Sequence, residues 1–364
     1  MNDGWTESTK NGKSMWHSDE LDSIPIHFIL CTERTGSSLL ATRLNMNSSL
    51  IVASEEPFAL YFKGKYGNIR QWDEQKINDY IEDFVHLFEK NIGLYFEYES
   101  RFRQCLLDHI SILTYDRLIK LTYLNFYDQD IKTKDSIKVI LDKQMKYVFH
   151  REEIIQLFPN ASFLILTRDV LKNIDAKARR GIDFFSHPYY LSNVWKLTYE
   201  EALRFPRTQM LHFEAFITDP EAALKTLNTF WGVPYETAQM NHQAGFYALL
   251  TKRSHLLRPE FIKKISDFHR GILDWEPRAT ETETDTESIS QHHQLVILNQ
   301  TKNTRVKLGY GEAEPTKINP WDALTWEIYR ILAWVFRPNL WQTYRRLPLS
   351  LKRILRCRKK SYTP

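Results

Sequence analysis

The chain of 364 residues has only three cysteines, Cys31, Cys105 and Cys357. They lie far apart with no CxxC spacing, which excludes a zinc cluster or a disulfide framework and fits a reducing compartment. No metal is expected. The opening stretch MNDGWTESTKNGKSMWHSDE lacks an apolar core, so neither a secretory signal nor an amino-terminal anchor is read there, and a cytoplasmic location is expected. The Walker pattern GxxxxGK[ST] is missing, which speaks against an ordinary ATP or GTP site. No internal repeat is visible. Acidic residues are absent from positions 328–364, which carry ten Lys or Arg; the rest of the chain then has 39 basic against 45 acidic residues, a net of −6 under an overall +4. A basic tail on an acidic body points to an anionic partner, membrane surface or nucleic acid.

What is present is enough for a large core: 43% hydrophobic and 13% aromatic residues, which exclude disorder over the whole chain. Residues 1–23 read as a flexible leader. IHFILC at 26–31 is a short apolar run that breaks at TERTG and resumes as SSLLATRL, hence strand, turn, helix. Ser37 and Ser38 stand where hydroxyls cap a helix start, and Gly36 supplies the freedom of a tight turn. Further buried strands are expected at LIVA (50–53), KVIL (138–141), SFLILT (162–167) and TQMLHF (208–213). DPEAALKTLNTFWG opens with an Asp cap and a first-turn Pro and stops at Gly232. Strands alternating with helices imply an α/β fold with a mostly parallel sheet covered on both faces. Residues 76–130 read as an inserted helical layer, and 276–320 as an acidic linker and irregular segment.

Between the first strand and its helix, free backbone N–H groups, the helix dipole and the planar charge of Arg34 make an anion site. By itself the pattern fits a structural strand-to-helix turn as well. RTGSSLL (34–40), however, resembles the 5′-phosphosulfate loop of the sulfotransferase family in its carbohydrate-type form. EEPF (55–58) resembles the Glu-Pro element that follows that loop, and LDKQMKY (141–147) the Asp-Lys or Glu-Lys segment. FPNASFLILTRD (158–169) resembles the strand ending in the Arg that holds the 3′-phosphate, and LHFEAFITDPEAALKTLNTFWG (211–232) the family's Tyr-Glu-Asp-Leu, Asp-Pro-Glu and Phe-Leu-Gly run. The resemblance implies a three-layer, P-loop-like sulfotransferase fold over residues 24–275 with a helical insertion, and a helical carboxyl-terminal appendage over 321–364. It implies 3′-phosphoadenosine 5′-phosphosulfate (PAPS) as co-substrate and a hydroxyl or amine of a carbohydrate, lipid or small molecule as acceptor.

The same resemblance implies the site. Arg34, Thr35, Gly36, Ser37, Ser38, Arg168 and Lys172 bind the cofactor; Glu56, Arg34 and Lys143 do the chemistry, with Glu56 as base. Two departures stand out. Where the family has a Ser eight residues after the Arg, this chain has Ala176, and the usual Pro and Arg are Val170 and Leu171. The 3′-phosphate grip then falls to Lys172, Lys177, Arg179 or Arg180. His86, His109, His150 and His212 are the other base candidates, and Glu214 is expected to fix a loop. Rival readings are a catalytically silent nucleotide-binding relative acting as a membrane-associated partner protein, and a small-molecule kinase with a degenerate loop.

At the carboxyl end an apolar stretch, 323–336, is interrupted by Glu327 and Arg330 and is too short and too charged to span a bilayer. Trp326, Trp334, Trp341 and Tyr344, followed by the basic cluster, suit peripheral attachment to an anionic membrane and a lipid-linked or amphipathic acceptor. A helical pair packed on the domain accounts for the same residues. Nucleic-acid binding has no recognised motif to support it.

Overall fold

The computed structural model describes residues 15–54, 58–91, 99–127, 132–179, 185–251, 288–311 and 317–339. Its centre is a five-stranded sheet of β1 (Ile26–Leu30), β2 (Leu50–Ser54), β3 (Val139–Lys143), β4 (Phe163–Thr167) and β5 (Thr208–His212). The spatial order is β2-β3-β1-β4-β5 and every pairing is parallel. The apolar runs are continuous because the inner strands are covered on both faces: all five residues of β1, β3 and β4 are buried.

Alternate residues feed two cores, as the two-residue period of a strand requires. On one face Ile29, Val52, Leu141, Leu164 and Leu166 meet helices that follow β1 and β5; on the other Phe28, Ile51, Ile140, Phe163 and Ile165 meet the remaining helical layer.

The helices up to residue 251 run α1 (Ser18–Ser23), α2 (Ser37–Leu44), α3 (Phe58–Tyr61), α4 (Lys63–Tyr66), α5 (Glu74–Asn91), α6 (Glu99–Asp108), α7 (Tyr115–Tyr127), α8 (Arg151–Leu157), α9 (Val170–Ala178), α10 (Pro188–Ala202), α11 (Phe213–Thr218), α12 (Pro220–Phe230) and α13 (His242–Thr251). The expected helical layer is α5 to α7, which contributes Ile77, Tyr80, Phe84, Phe102 and Leu118 to the second core. Helix α2 covers the first core through Leu39, Leu40 and Leu44, whereas α8 and α9, after β3 and β4, cover the second through Ile154, Val170 and Ile174. The chain therefore leaves β1 toward one face and leaves both neighbouring strands toward the other. That divergence falls at the carboxyl end of β1, the kind of place where open α/β sheets bind ligands.

Three expectations change. Part of the leader is ordered: α1 buries Leu21, and the Asp22 carboxylate accepts two hydrogen bonds from Arg117, at 2.8 and 2.6 Å. One apolar residue among polar neighbours carries no periodicity, so the sequence pattern hides it. Within the supposed irregular segment, Gln291–Gln300 and Lys302–Lys307 are helices that place Val296, Ile297 and Leu308 in the core. Their apolar residues form one short cluster in a polar run, which masks the helical period. Lastly, Gly36 is the N-cap of α2, with Ser37 and Ser38 as its first two helical residues.

The helix Pro320–Trp334 is capped by Asn319, whose side chain accepts from the N–H groups of Trp321 and Asp322 at 2.8 and 3.0 Å. It packs along α10. Tyr189 donates to Asp322 at 2.9 Å, Asn193 donates to the Trp326 carbonyl at 3.4 Å, and the rings of His187 and Tyr329 stack 4.3 Å apart. Trp326, expected at a membrane interface, is only 1% exposed and belongs to the core. Trp341 and Tyr344 lie outside the described residues. Among the described residues no helix is long and apolar enough to cross a membrane.

Candidate active site

The loop from Cys31 to Gly36 crosses the carboxyl end of β1, and two of its residues take left-handed backbone angles: Arg34 at φ 63° and Gly36 at φ 78°. For Arg34 this conformation is unfavourable, so the surrounding contacts must hold it. The Arg34 carbonyl accepts from Arg168 Nη1 at 3.1 Å, and the Glu33 carbonyl accepts from Asn173 Nδ2 at 2.8 Å. Thr35 Oγ1 closes the turn on the Thr32 carbonyl at 2.9 Å.

Gly36 is required twice over. A β-carbon there would come within 2.0 Å of the Phe213 ring, besides facing the strain of a positive φ. The same ring carries the Arg168 guanidinium, 4.9 Å from its centroid. Phe213 thus seats the loop and the arginine after β4 together.

Beneath the loop, Cys31 is fully buried. Burial raises its thiol pKa, opposed by the charge of Lys143 and the hydroxyls of Ser37 and Thr35. Lys143 is the last residue of β3, in register with Ile29 on one side and Ser54 on the other, and it is completely buried. Metal clusters are absent among the described residues.

Glu33 is the unforeseen member. Arg337, arriving from beyond the Pro320–Trp334 helix, reaches Glu33 Oε1 at 2.6 Å, and Lys177 of α9 reaches Oε2 at 3.3 Å while donating to Thr32 Oγ1 at 2.6 Å. Burial alone would raise the Glu33 pKa; the charges of Arg337 and Lys177 outweigh it and hold the carboxyl well below the ordinary range. The loop thereby keeps a carboxylate whose charge is already countered.

On α9, Asn173 and Lys177, four residues apart, share the face that meets the loop. Arg179 is exposed and pairs with Asp175, and Arg180 lies outside the described residues. The Lys172 N–H donates to the capping carboxylate of Asp169 at 3.3 Å. Glu214 has the structural role expected: it accepts from the Asp169 N–H at 2.8 Å and from the Tyr310 hydroxyl at 3.0 Å.

Of the histidines, His109 accepts from the Trp16 N–H at 3.0 Å, His212 Nε2 lies 2.6 Å from the Leu308 carbonyl, and His150 faces Glu153 at 3.5 Å. The His86 side chain lies outside the described ones. So do Glu55 and Glu56; in sequence they follow Ser54, the residue in register with Lys143.

Arg34, Lys143 and Arg168 follow or close three adjacent strands, and Lys177 of α9 reaches the loop after β1. Cations gathered in this way can receive a multiply charged anion. A model of the sulfotransferase family matches residues 25–237. The chain belongs to the sulfotransferase family, whose activity is sulfuryl transfer. None of the curated proteins matches the chain significantly. Among solved structures it is similar to a sulfotransferase domain from the curacin biosynthetic pathway, at 18% identity and a TM-score of 0.44 over 80% of this chain and 99% of that one. A sulfotransferase from Mycobacterium avium aligns at 14% identity and 0.36 over 71% and 80%. Likeness this remote carries no argument about substrates.

Proposed function

We propose that the protein is a PAPS-dependent sulfotransferase acting on a hydroxyl or amine of a carbohydrate, lipid or small-molecule acceptor. The observation that carries this reading is the Arg34-Thr35-Gly36 loop at the sheet's divergence point, left-handed at Arg34 and Gly36 and bonded to Arg168 from the neighbouring strand end. In the reaction the acceptor oxygen or nitrogen attacks sulfur, the bond from sulfur to the 5′-phosphate oxygen breaks, and adenosine 3′,5′-bisphosphate leaves with its electron pair. The acceptor's proton passes to a base.

Positioning and charge stabilisation carry most of such a transfer. Arg34, the loop N–H groups, Ser37 and Ser38 suit the 5′-phosphate and the bridging oxygen. Lys143, buried at the end of β3, suits the charge that develops on the transferring group. Arg168 suits the 3′-phosphate, and Lys177 with Asn173 supports the loop from the helix where Ala176 lacks a hydroxyl. Glu56 is the base by the family resemblance.

Titration with adenosine 3′,5′-bisphosphate and with ATP tests the reading. Tight, selective binding of the bisphosphate is expected, followed by transfer of label from PAPS to an acceptor among lipid and polar metabolite fractions. Preference for ATP would point to a kinase. Failure to bind either nucleotide would leave a silent relative.

A further inference from the structure

We infer that the outward face of the Pro320–Trp334 helix is a docking surface for an anionic lipid membrane. The helix is two-sided. Asp322, Trp326, Tyr329 and Ala333 turn toward the body, three of them through the bonds and ring contacts to α10 described above. Trp321, Leu324, Ile328, Ile331 and Val335 recur at alternating three- and four-residue steps and are 77%, 51%, 51%, 54% and 39% exposed; Trp334 beside them is 53% exposed. Steps of that kind put side chains on one face of a helix. Nine large hydrophobic residues are exposed among the described ones, and six of them lie in this single segment. An apolar stripe so concentrated marks an interaction site.

Charge selects the occupant. Positions 328–364 hold ten basic and no acidic residues, whereas the remainder of the chain is net −6. On the exposed face itself Arg330 is paired to Glu327 at 2.6 Å. A second copy would bring two such basic segments to one symmetric interface, since a two-fold contact uses the same patch on both subunits. An anionic bilayer meets both needs at once: the apolar stripe enters the acyl boundary, and each Lys or Arg that reaches a headgroup contributes about 1 kcal/mol.

The surface is also tied to the catalytic loop. Two positions past Val335, Arg337 bonds Glu33, so the phosphosulfate loop is held directly beside the membrane-facing helix. This attachment does not depend on the reaction assigned above.

Co-sedimentation of the full chain, without PAPS or acceptor, with vesicles of phosphatidylcholine alone and of phosphatidylcholine with phosphatidylglycerol decides the matter. Binding to the anionic vesicles should exceed that to neutral ones at least about tenfold and weaken with added salt. Ile328→Glu combined with Ile331→Glu, checked for an unchanged far-UV spectrum and melting point, should reduce binding to the neutral-vesicle level. Trp321→Ala, at the most exposed position, should reduce it severalfold and covers the case of a misfolded double variant. Absence of selectivity for anionic vesicles, or full binding by both variants, would overturn the proposal. So would a stable dimer in sedimentation velocity that the same substitutions split, because the stripe would then belong to a second copy.

Discussion

Arg168 makes two contacts that pull in one direction: it donates to the Arg34 carbonyl and lies over the Phe213 ring that packs on Gly36. On the proposed function, removing it takes away a charge for the 3′-phosphate and loosens the loop meant for the 5′-phosphate. Arg168→Ala should weaken binding of adenosine 3′,5′-bisphosphate by about 1.5–3 kcal/mol, the range for hydrogen bonds to charged groups. Calorimetric titration reads it directly, and an unchanged affinity would remove Arg168 from the cofactor site. Glu56→Gln separates chemistry from binding, since an amide keeps the shape but accepts no proton. Turnover should fall by roughly a hundredfold with bisphosphate affinity near wild type, while Glu55→Gln has a much smaller effect. An active Glu56→Gln enzyme would return the base to another group, Lys143 included.

At the scale of elements, the loop after β1 is braced from two sides by pieces of chain that are remote in sequence. Helix α9 supplies Asn173 and Lys177, and the segment beyond Trp334 supplies Arg337. Glu33 sits between the two cations, and its charge is harmless to a bound anion only while both are present. Arg337→Gln removes one. The freed carboxylate charge then opposes an incoming phosphate, so bisphosphate affinity should drop, and Glu33→Gln added to Arg337→Gln should restore part of it. Rescue by the second substitution is the informative outcome, because a purely structural role for Arg337 would make the pair worse than the single variant. The helix carrying this segment is itself anchored by Trp326, whose truncation to Ala should cost about 3–5 kcal/mol as for other buried aromatics.

For the molecule as a whole, the acid limb of stability should carry the signature of His27. This residue is buried on β1, accepts the Ser162 N–H on Nδ1 at 3.0 Å, and has its pKa pushed down to about 4, by burial first and by the charge of Arg207 second. An unfolded histidine titrates near 6.5. Between those values the unfolded chain binds the extra proton, so this contribution is complete above about pH 6.5 and is lost as pH falls toward about 4. At 1.36 kcal/mol per unit the loss amounts to about 3 kcal/mol. Urea unfolding across that interval should show the fall in the wild type and a flatter profile in His27→Gln. Equal profiles would mean that His27 is not held neutral. Glu33, whose pKa is depressed, acts in a lower window: its contribution is complete above the ordinary carboxylate value and is lost as pH falls through its folded-state pKa.

The sequence by itself determined the strands, the parallel α/β class and the family, because these rest on local apolar runs, turn chemistry and the order of short motifs. It also named Arg34, Lys143 and Arg168, each adjacent to a strand end that can be read from four or five neighbouring residues. Asn173 was half legible, four residues before a lysine already in view. Only the tertiary structure decided that Glu33 meets Arg337 across a separation of 304 positions, that Phe213 seats both Gly36 and Arg168, and that Trp326 turns inward while Trp321 turns outward. A helix with apolar residues on two faces has no single period to announce which one is buried. That choice is made by what it packs against: α10 offers Tyr189 and Asn193 to Asp322 and the Trp326 backbone, and the opposite face is left to whatever the protein meets.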